Sequence, residues 1–357
     1  MQCPTSRACP VQTRSSRTTR NVIRAAHTPN GPTIAIVGIT GAVGQEFLTV
    51  MKERNFPYSS IKMLASARSA GKTQEFEGVS YTIEELTDKS FAGVDIALFS
   101  AGGSISKTLG PVAAAAGCVV VDNSSAFRMT PGVPLVIPEV NPQAMAHVRV
   151  GSGGAIIANP NCSTIIALMA VTPLHRLATV KRMVVSTYQA ASGAGAAAME
   201  ELKEQTRDVL EGRPAEPKIF PQQYAFNLFS HNSGMDVATG YNEEEDAVRI
   251  TATCVRVPVM RAHAESINLE FENDISEEAA LAALAAFPGV SIINDRAANR
   301  FPTPLDATFQ DNVFVGRVRR DMSRDDAKGL DLFVCGDQIK KGAALNAIQI
   351  AEQVLRN

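Results

Sequence analysis

The chain is predicted to be an α/β protein of two domains, the first built on a parallel sheet and the second an α+β unit with a mixed sheet. Two patterns carry this. From Thr33 to about residue 160, short apolar runs alternate with stretches of helical spacing, the grammar of parallel strands joined by right-handed helical crossovers. After Ser163 the strand patterns lengthen and are separated by helices and turns, which suits a mixed sheet. Length agrees, since 357 residues are enough for two cores. The composition, 45% hydrophobic and 20% charged, is that of an ordinary globular chain. No apolar run approaches the roughly 20 residues of a membrane-spanning helix, so no membrane partner is expected. A net charge of −2 gives no electrostatic reason to expect nucleic acid. The six cysteines, Cys3, Cys9, Cys118, Cys162, Cys254 and Cys335, have no paired spacing, which argues against a disulfide framework and against a metal site.

Residues 1–32 read separately from the rest. They hold Arg7, Arg14, Arg17, Arg20 and Arg24, many hydroxyl residues and no acid, the composition of an organellar transit peptide. The run Val22-Ile23-Arg24-Ala25-Ala26 favours a plastid as the destination. The first strand is then Thr33 to Gly38, an apolar run bounded by Pro32 and a glycine turn. Val43, Phe47, Leu48 and Met51 place a helix over Ala42 to Arg54. Strands follow at Ile61–Ala65, Val94–Ser100 and Cys118–Asp122, with a helix from Ser104 to Ala116. In the second half the spacing predicts helices at Ser163–Leu177, Ala196–Leu210, Glu277–Phe287 and Lys341–Leu355. It predicts strands at Arg182–Gln189, Val248–Val257, Ser266–Glu270, Asn312–Arg319 and Leu330–Val334.

The loop Gly38-Ile39-Thr40-Gly41-Ala42-Val43-Gly44 joins the first strand to the first helix. Glycines there permit a tight turn and close approach of backbone to pyrophosphate, which then faces a helix N-terminus. A lone glycine pattern is weak, but its strand-to-helix context marks a Rossmann-type dinucleotide site. At the end of the second strand stand Ser66, Arg68 and Ser69, with no carboxylate until Glu75. An arginine there accommodates a 2′-phosphate, so NADP is the expected cofactor.

Cys162, in Asn159-Pro160-Asn161-Cys162-Ser163-Thr164, lies at a predicted helix N-terminus among capping-type residues. A helix N-terminus lowers a thiol pKa, and the thiolate is the nucleophile. By itself this leaves a reactive and a quiet buried cysteine about even. Beside an NADP loop, an activated thiol can accept an acyl group and exchange hydride with the thioester. Of five histidines, His263 stands seven residues after Arg256 across a proline-broken strand connection. His175, on the helix after Cys162, reads as surface or packing.

Seven segments in order, GITGAVG, SARSAGK, DNSSAFR, NPNCST, TYQAASGAG, TCVRVPVMRAHAES and GDQIKKGAALNAIQIAE, give the chain from about Thr33 to Leu355 its family character. It resembles the aspartate-β-semialdehyde dehydrogenases, and its leader and MRAHAES segment resemble the plant and algal members most. The resemblance implies an NADP-dependent reduction of aspartyl phosphate to the semialdehyde that serves lysine, threonine and methionine biosynthesis. It implies that Cys162 attacks the acyl phosphate, that His263 is the acid/base, and that Gln189 orients the substrate. Arg256 matches the residue gripping the substrate α-carboxylate, Glu244 the one binding its amino group, and Arg128 with Asn123 those holding phosphate. Ser192, Gly193 and Gln338 match positions near the cofactor, with Gly38, Thr40, Gly41, Ala42, Val43 and Gly44 in its loop. The resemblance also implies a homodimer through the second domain.

The expected domains are 1–32 as leader, 33–160 as the NADP-binding domain completed by 335–357, and 161–334 as the catalytic and dimerisation domain. One segment departs from the family. After Gly240-Tyr241-Asn242 the family carries a Glu-x-x-Lys helix, whereas here Glu243-Glu244-Glu245-Asp246 runs almost directly into the next strand, and only Arg249 could stand in for the lysine. Two alternatives stay open at this level. One is a related acyl-phosphate reductase of the N-acetylglutamyl-phosphate type, and the other is a catalytically impaired NADP-binding protein.

Overall fold

The structure, a computed structural model, describes residues 27–242, 244–245 and 250–357. Most of the expected leader and Arg249 therefore lie outside the described residues. The last part of that leader is attached to the first domain: His27 bridges to Tyr58, and the Thr28 N–H donates to the Tyr58 carbonyl at 2.8 Å.

The first sheet contains β1 (Thr33–Val37), β2 (Ser60–Ala65), β3 (Thr73–Phe76), β4 (Val79–Glu85), β5 (Ile96–Phe99), β6 (Val119–Asp122) and β7 (Ala155–Ala158). Helices α1 (Ala42–Glu53) and α2 (Gly103–Ala115) cross over between its strands. The spatial order is β3-β4-β2-β1-β5-β6-β7, and every pairing is parallel except β3 with β4. Without the edge strand β3 this is the strand order of a dinucleotide-binding sheet, reversing direction between β1 and β5. Ligands bind outside the carboxyl ends of the strands at such a reversal. The β3–β4 hairpin and β7 are additions to the predicted elements.

The second sheet begins after α3 (Cys162–Ala178). It contains β8 (Val180–Gln189), β9 (Phe229–Ser230), β10 (Ile250–Arg256), β11 (His263–Phe271), β12 (Val290–Ile292), β13 (Val313–Arg320) and β14 (Gly329–Gly336). Between these strands lie α4 (Ala196–Leu210), α5 (Glu277–Ala285) and the single turn α6 (Pro304–Ala307). Its order, β12-β13-β14-β11-β8-β10-β9, mixes parallel and antiparallel pairs. Helix α3 covers one face, packing Ile165, Ile166, Met169 and Leu174 against Val185, Ile267, Leu332 and Val334. On the opposite face Arg182, Tyr188, Thr253 and Ser266 are exposed, and Tyr188 lies 6.4 Å from the ring of Phe333.

The last helix, α7 (Leu345–Arg356), follows a π-turn at Lys340–Ala344, where continuous α-helix from Lys341 was predicted. Leu345, Ile348, Ala351 and Val354 join the core of the first sheet, alongside Ile34, Ile36, Phe47 and Met51. The two halves are also clamped by charge. Arg261 donates to the Asp337 carboxylate at 2.6 Å and to Glu46 on α1 at 3.0 Å, and its guanidinium sits 4.1 Å from the Phe309 ring centroid. Asp337 is fully buried and accepts three further backbone N–H groups, from Phe309, Ile339 and Lys340. Breaking a buried pair from one side leaves the other charge uncompensated, which costs about 3–5 kcal/mol. Asp337→Ala is therefore expected to lower unfolding stability by about that amount in a denaturant titration.

Candidate active site

Helix α3 starts on Cys162 itself, one residue earlier than predicted, and its cap is Asn161 rather than Ser163 or Thr164. The Asn161 Oδ1 accepts the N–H groups of Ser163 at 2.9 Å and Thr164 at 3.4 Å, while its Nδ2 donates to Glu244 at 2.8 Å. The cysteine thus faces a cleft at the junction of the two sheets, beyond the end of β7.

That cleft, about 310 Å³, is lined by Cys162, Asn123, Arg128, Gln189, Glu244 and Arg256 among the residues singled out in the sequence. Val43 from the glycine loop, Ser192 and Gly193 from the turn after β8, and Gln338 from the segment after β14 reach it too. Arg128 donates to the backbone carbonyls of Asn159 at 3.1 Å and Asn123 at 2.9 Å. Arg256, at the end of β10, is 4% exposed and donates to the Ala190 carbonyl at 3.4 Å and to Asn232 at 3.3 Å. Its guanidinium also sits 5.6 Å from the Phe220 ring centroid. Among the described residues neither arginine has a carboxylate within ion-pair distance. Burial lowers the pKa of both, an unfavourable state for a cation that an anionic ligand relieves. The Asn123 amide has neither its donor nor its acceptor satisfied although both are buried. Unmade bonds of this kind cost about 1–3 kcal/mol and point to a ligand that completes them.

The thiol differs from expectation. Burial, then the charge of Glu244, pushes Cys162 up to about 12, and the opposing pulls of Arg128, Arg256 and the Ser163 N–H do not cancel them. The helix terminus is in place, but desolvation outweighs it.

His263 is the first residue of β11, three residues ahead of the predicted strand start, because the backbone pairs there with Gly336 of β14. It is wholly buried; its Nδ1 accepts the Ala190 N–H at 3.0 Å and its Nε2 has no partner. Burial first, then Arg256 and His231, hold its pKa well below the usual histidine range. Gln189, at the end of β8, donates to Thr187 at 3.2 Å. Gly193 is required by this crowding, since a Cβ there would stand 2.9 Å from Arg256 Nη1 and 3.1 Å from His263 Cε1. Gln338 accepts the Ala262 N–H at 2.9 Å and donates to the Ser192 hydroxyl.

Several lining residues carry no legible signal in the sequence. His231 lies in an irregular loop and enters the cleft only because its N–H pairs with the Cys254 carbonyl at 2.9 Å. Burial lowers its pKa to about 4, so it is neutral at physiological pH. Asn161 reads as one cap candidate among several, and Asn232, which does not line the cleft, accepts from Arg256 out of the same loop as His231. His175 is exposed and accepts the Val180 N–H at 3.1 Å, away from the cleft.

The glycine loop fits a dinucleotide. A Cβ on Gly38 would meet the Ser100 carbonyl oxygen at 2.3 Å, and one on Gly44 would meet the Gly38 carbonyl oxygen at 2.3 Å. Helix α1 follows Gly41 as its N-cap, with no side-chain cap and no acidic residue in its first turn, leaving its N–H groups to an anion. Thr40 and Gly41 are exposed, with Ala42 and Val43 half-buried at the helix entry. In the turn after β2, Ser66 and Arg68 are exposed and Ser69 is buried.

Comparison with known proteins agrees with this arrangement. Residues 33–148 match the model for the semialdehyde dehydrogenase NAD binding domain, and residues 171–341 the semialdehyde dehydrogenase dimerisation domain. An aspartate-semialdehyde dehydrogenase of Synechocystis is 53% identical over 91% of this chain and 97% of its own length. That of Aquifex aeolicus is 48% identical over 91% of this chain and 98% of its own. Among solved structures, the Vibrio cholerae aspartate semialdehyde dehydrogenase II complexed with ASA is 41% identical, with a TM-score of 0.86 over 92% of this chain and 99% of that one. With both domains matched in order and such identity across the chain, the protein belongs to the aspartate-semialdehyde dehydrogenase family of oxidoreductases.

Proposed function

We propose that the cleft carries out the reductive dephosphorylation of aspartyl phosphate to aspartate semialdehyde, with NADP as its cofactor, in lysine, threonine and methionine biosynthesis. The observation that carries this reading is the pair of guanidiniums, half-buried Arg128 and buried Arg256, lining one cleft with the cysteine and without carboxylate partners. They fit a substrate with an anion at each end. Arg256 grips the α-carboxylate as a rigid fork and Glu244 receives the amino group, while Arg128 and the unsatisfied Asn123 amide hold the phosphate. Cys162 takes the acyl group as a thioester, Gln189 fixes its orientation, and His263 serves as the acid/base. The bound dinucleotide supplies hydride, its pyrophosphate held by the Gly38–Gly44 loop, with Ser192 and Gln338 near its nicotinamide. The Arg256 and Glu244 pair suits a free amino acid and disfavours an N-acylated one.

The direct test is reduction of NADP on adding aspartate semialdehyde and inorganic phosphate. Phosphate-dependent reduction is expected; tight cofactor binding without turnover would defeat the reading. Arg68 stands exposed at the place of the 2′-phosphate. Arg68→Ala is expected to weaken NADP by about 1.5–3 kcal/mol while leaving NAD almost unchanged, and equal losses in paired titrations would remove that role.

The uncovered face of the second sheet, around Tyr188 and Phe333, is the surface on which two copies pair, and analytical ultracentrifugation of the full chain should find a dimer. Residues 1–32 are the transit peptide of a plant or algal type protein. Fused to a fluorescent reporter, they should deliver it to plastids.

A further inference from the structure

We propose that Lys341 is a positioning residue for the phosphate site: through Asn346 and Asn159 it fixes the Arg128 guanidinium, without itself touching substrate or cofactor. The inference rests on the reading above for what Arg128 binds, and on a continuous set of hydrogen bonds for the rest. Lys341 is 1% exposed and lies in the π-turn that precedes α7. An ammonium has three donors and no acceptor. Here all are engaged, by Glu139 Oε2 at 2.7 Å, Gln349 Oε1 at 2.8 Å and Asn346 Oδ1 at 3.1 Å.

The bond to Asn346 leads to the cleft. With its oxygen held by Lys341, the Asn346 amide turns its Nδ2 to the other side, where it donates to the Val136 carbonyl at 3.0 Å and to Asn159 Oδ1 at 2.6 Å. Asn159 is also the residue whose backbone carbonyl accepts Arg128 Nε at 3.1 Å. Its own N–H donates to the Asp122 carbonyl at 2.8 Å, so side chain and backbone are both tied. A guanidinium has five N–H donors. Arg128 uses one on Asn159 and another, from Nη2, on the Asn123 carbonyl at 2.9 Å, and the rest remain for the cleft it lines.

Stability gives little reason for a buried ammonium at this place. Burial lowers its pKa, and Glu139 acts against that shift. A buried ion pair is often no better for the fold than well-packed apolar side chains of similar volume, so the orientation it imposes is the reason for it. The π-turn serves the same end. It sends Lys341 to Glu139, while the next residue, Gly342, lies against the nucleophile, where a Cβ would stand 2.8 Å from Cys162 Cβ. Arg256 and Glu244 come from the other half of the chain and, among the described residues, share no hydrogen bond with Lys341, Asn346, Asn159 or Arg128. A fault in this network should therefore fall on phosphate and spare the amino-acid end of the substrate.

The test uses the full chain, inorganic phosphate and steady-state oxidation of aspartate semialdehyde. Lys341→Met, similar in length but without donors, should raise the KM for phosphate by about 10–100-fold, the scale of one charge-assisted bond. The KM values for aspartate semialdehyde and NADP should not change, nor should the rate at which iodoacetamide alkylates Cys162. Asn346→Leu keeps the Lys341–Glu139 pair and should do the same, so a Lys341→Met that fails to fold leaves the test intact. In an Arg128→Leu background neither change should lower kcat/KM for phosphate further, because groups acting through one another are not additive. The proposal is overturned by a loss spread over all three substrates, by slowed alkylation, or by a lower melting temperature with an unchanged KM for phosphate. A full additional loss in the Arg128→Leu background would also overturn it. A separate measurement stands apart from the reaction. The ¹⁵N–¹H signal of Arg128 Nε, identified by its absence from Arg128→Leu, should exchange with solvent faster in Lys341→Met and Asn346→Leu than in the wild type. Equal exchange would show that Lys341 does not hold Arg128. A wild-type protein without phosphate-dependent turnover would defeat the reaction alone and leave the exchange result to decide the role of Lys341.

Discussion

Cys162→Ala is expected to reduce phosphate-dependent oxidation of aspartate semialdehyde by about 10⁴-fold or more, the scale of losing a covalent nucleophile. The loss should fall on turnover alone. The side chain starts helix α3 on the wall between the two sheets, and its removal leaves the Gly38–Gly44 cradle and the turn at Arg68 untouched. No neighbour can take over, because the other described cysteines, Cys118, Cys254 and Cys335, are buried away from this cleft. Dinucleotide affinity, followed by fluorescence titration, should equal that of the wild type. Residual turnover above about one percent would remove Cys162 from the covalent role, since no oxyanion donor alone gives so much.

Arg256→Leu is expected to lower kcat/KM by about 10²–10⁴, from losing two charge-assisted bonds worth about 1.5–3 kcal/mol each. It should do so without a matching loss of stability. In the free protein Arg256 is a nearly buried cation whose acceptors are the Ala190 carbonyl and the Asn232 amide oxygen, and burial lowers its pKa. Exchanging such a cation for an apolar group of similar bulk is often neutral or stabilising. The melting temperature of Arg256→Leu should therefore equal or exceed that of the wild type. A large fall in melting temperature together with unchanged kcat/KM would show that the arginine serves the fold and not the substrate. Arg256→Lys should recover little of the loss, because a point charge cannot reproduce the fork.

Most of the architecture was legible from apolar periodicity, because the parallel strands of the first sheet are buried on both sides and read as short continuous runs. Val119–Asp122 is an example, with every residue buried. The β3–β4 hairpin escaped because its strands lie at the sheet edge and carry polar residues on exposed positions, as in Val79–Glu85. Strand β7 is only four residues long and shows no alternation. The start of β11 was misplaced for a different reason. Arg261-Ala262-His263-Ala264 contains no β-branched residue, and its extended form comes from pairing with β14, which sequence spacing does not reveal.

The site was legible to the extent that loops attach to the ends of readable strands. Gln189 and Arg256 end neighbouring parallel strands and face each other in register, so recognising the strands brings the residues together. His231 has no such handle. The sign of the thiol shift was not legible either, since a helix terminus is a local feature and desolvation depends on everything folded around it.

The placement of α7 has a consequence for how the chain is made. Residues from Ala344 to Val354 complete the core that Ile34, Phe47 and Met51 begin, so the amino-terminal sheet lacks a wall until the last turns of the chain exist. During synthesis that sheet must wait, with apolar surface uncovered, while the whole second domain emerges and folds between its two halves. Deleting only α7 should consequently leave the second domain able to fold, yet produce a first domain that aggregates or recruits chaperones. The dinucleotide site, although its glycines come first in the chain, is among the last features to be finished.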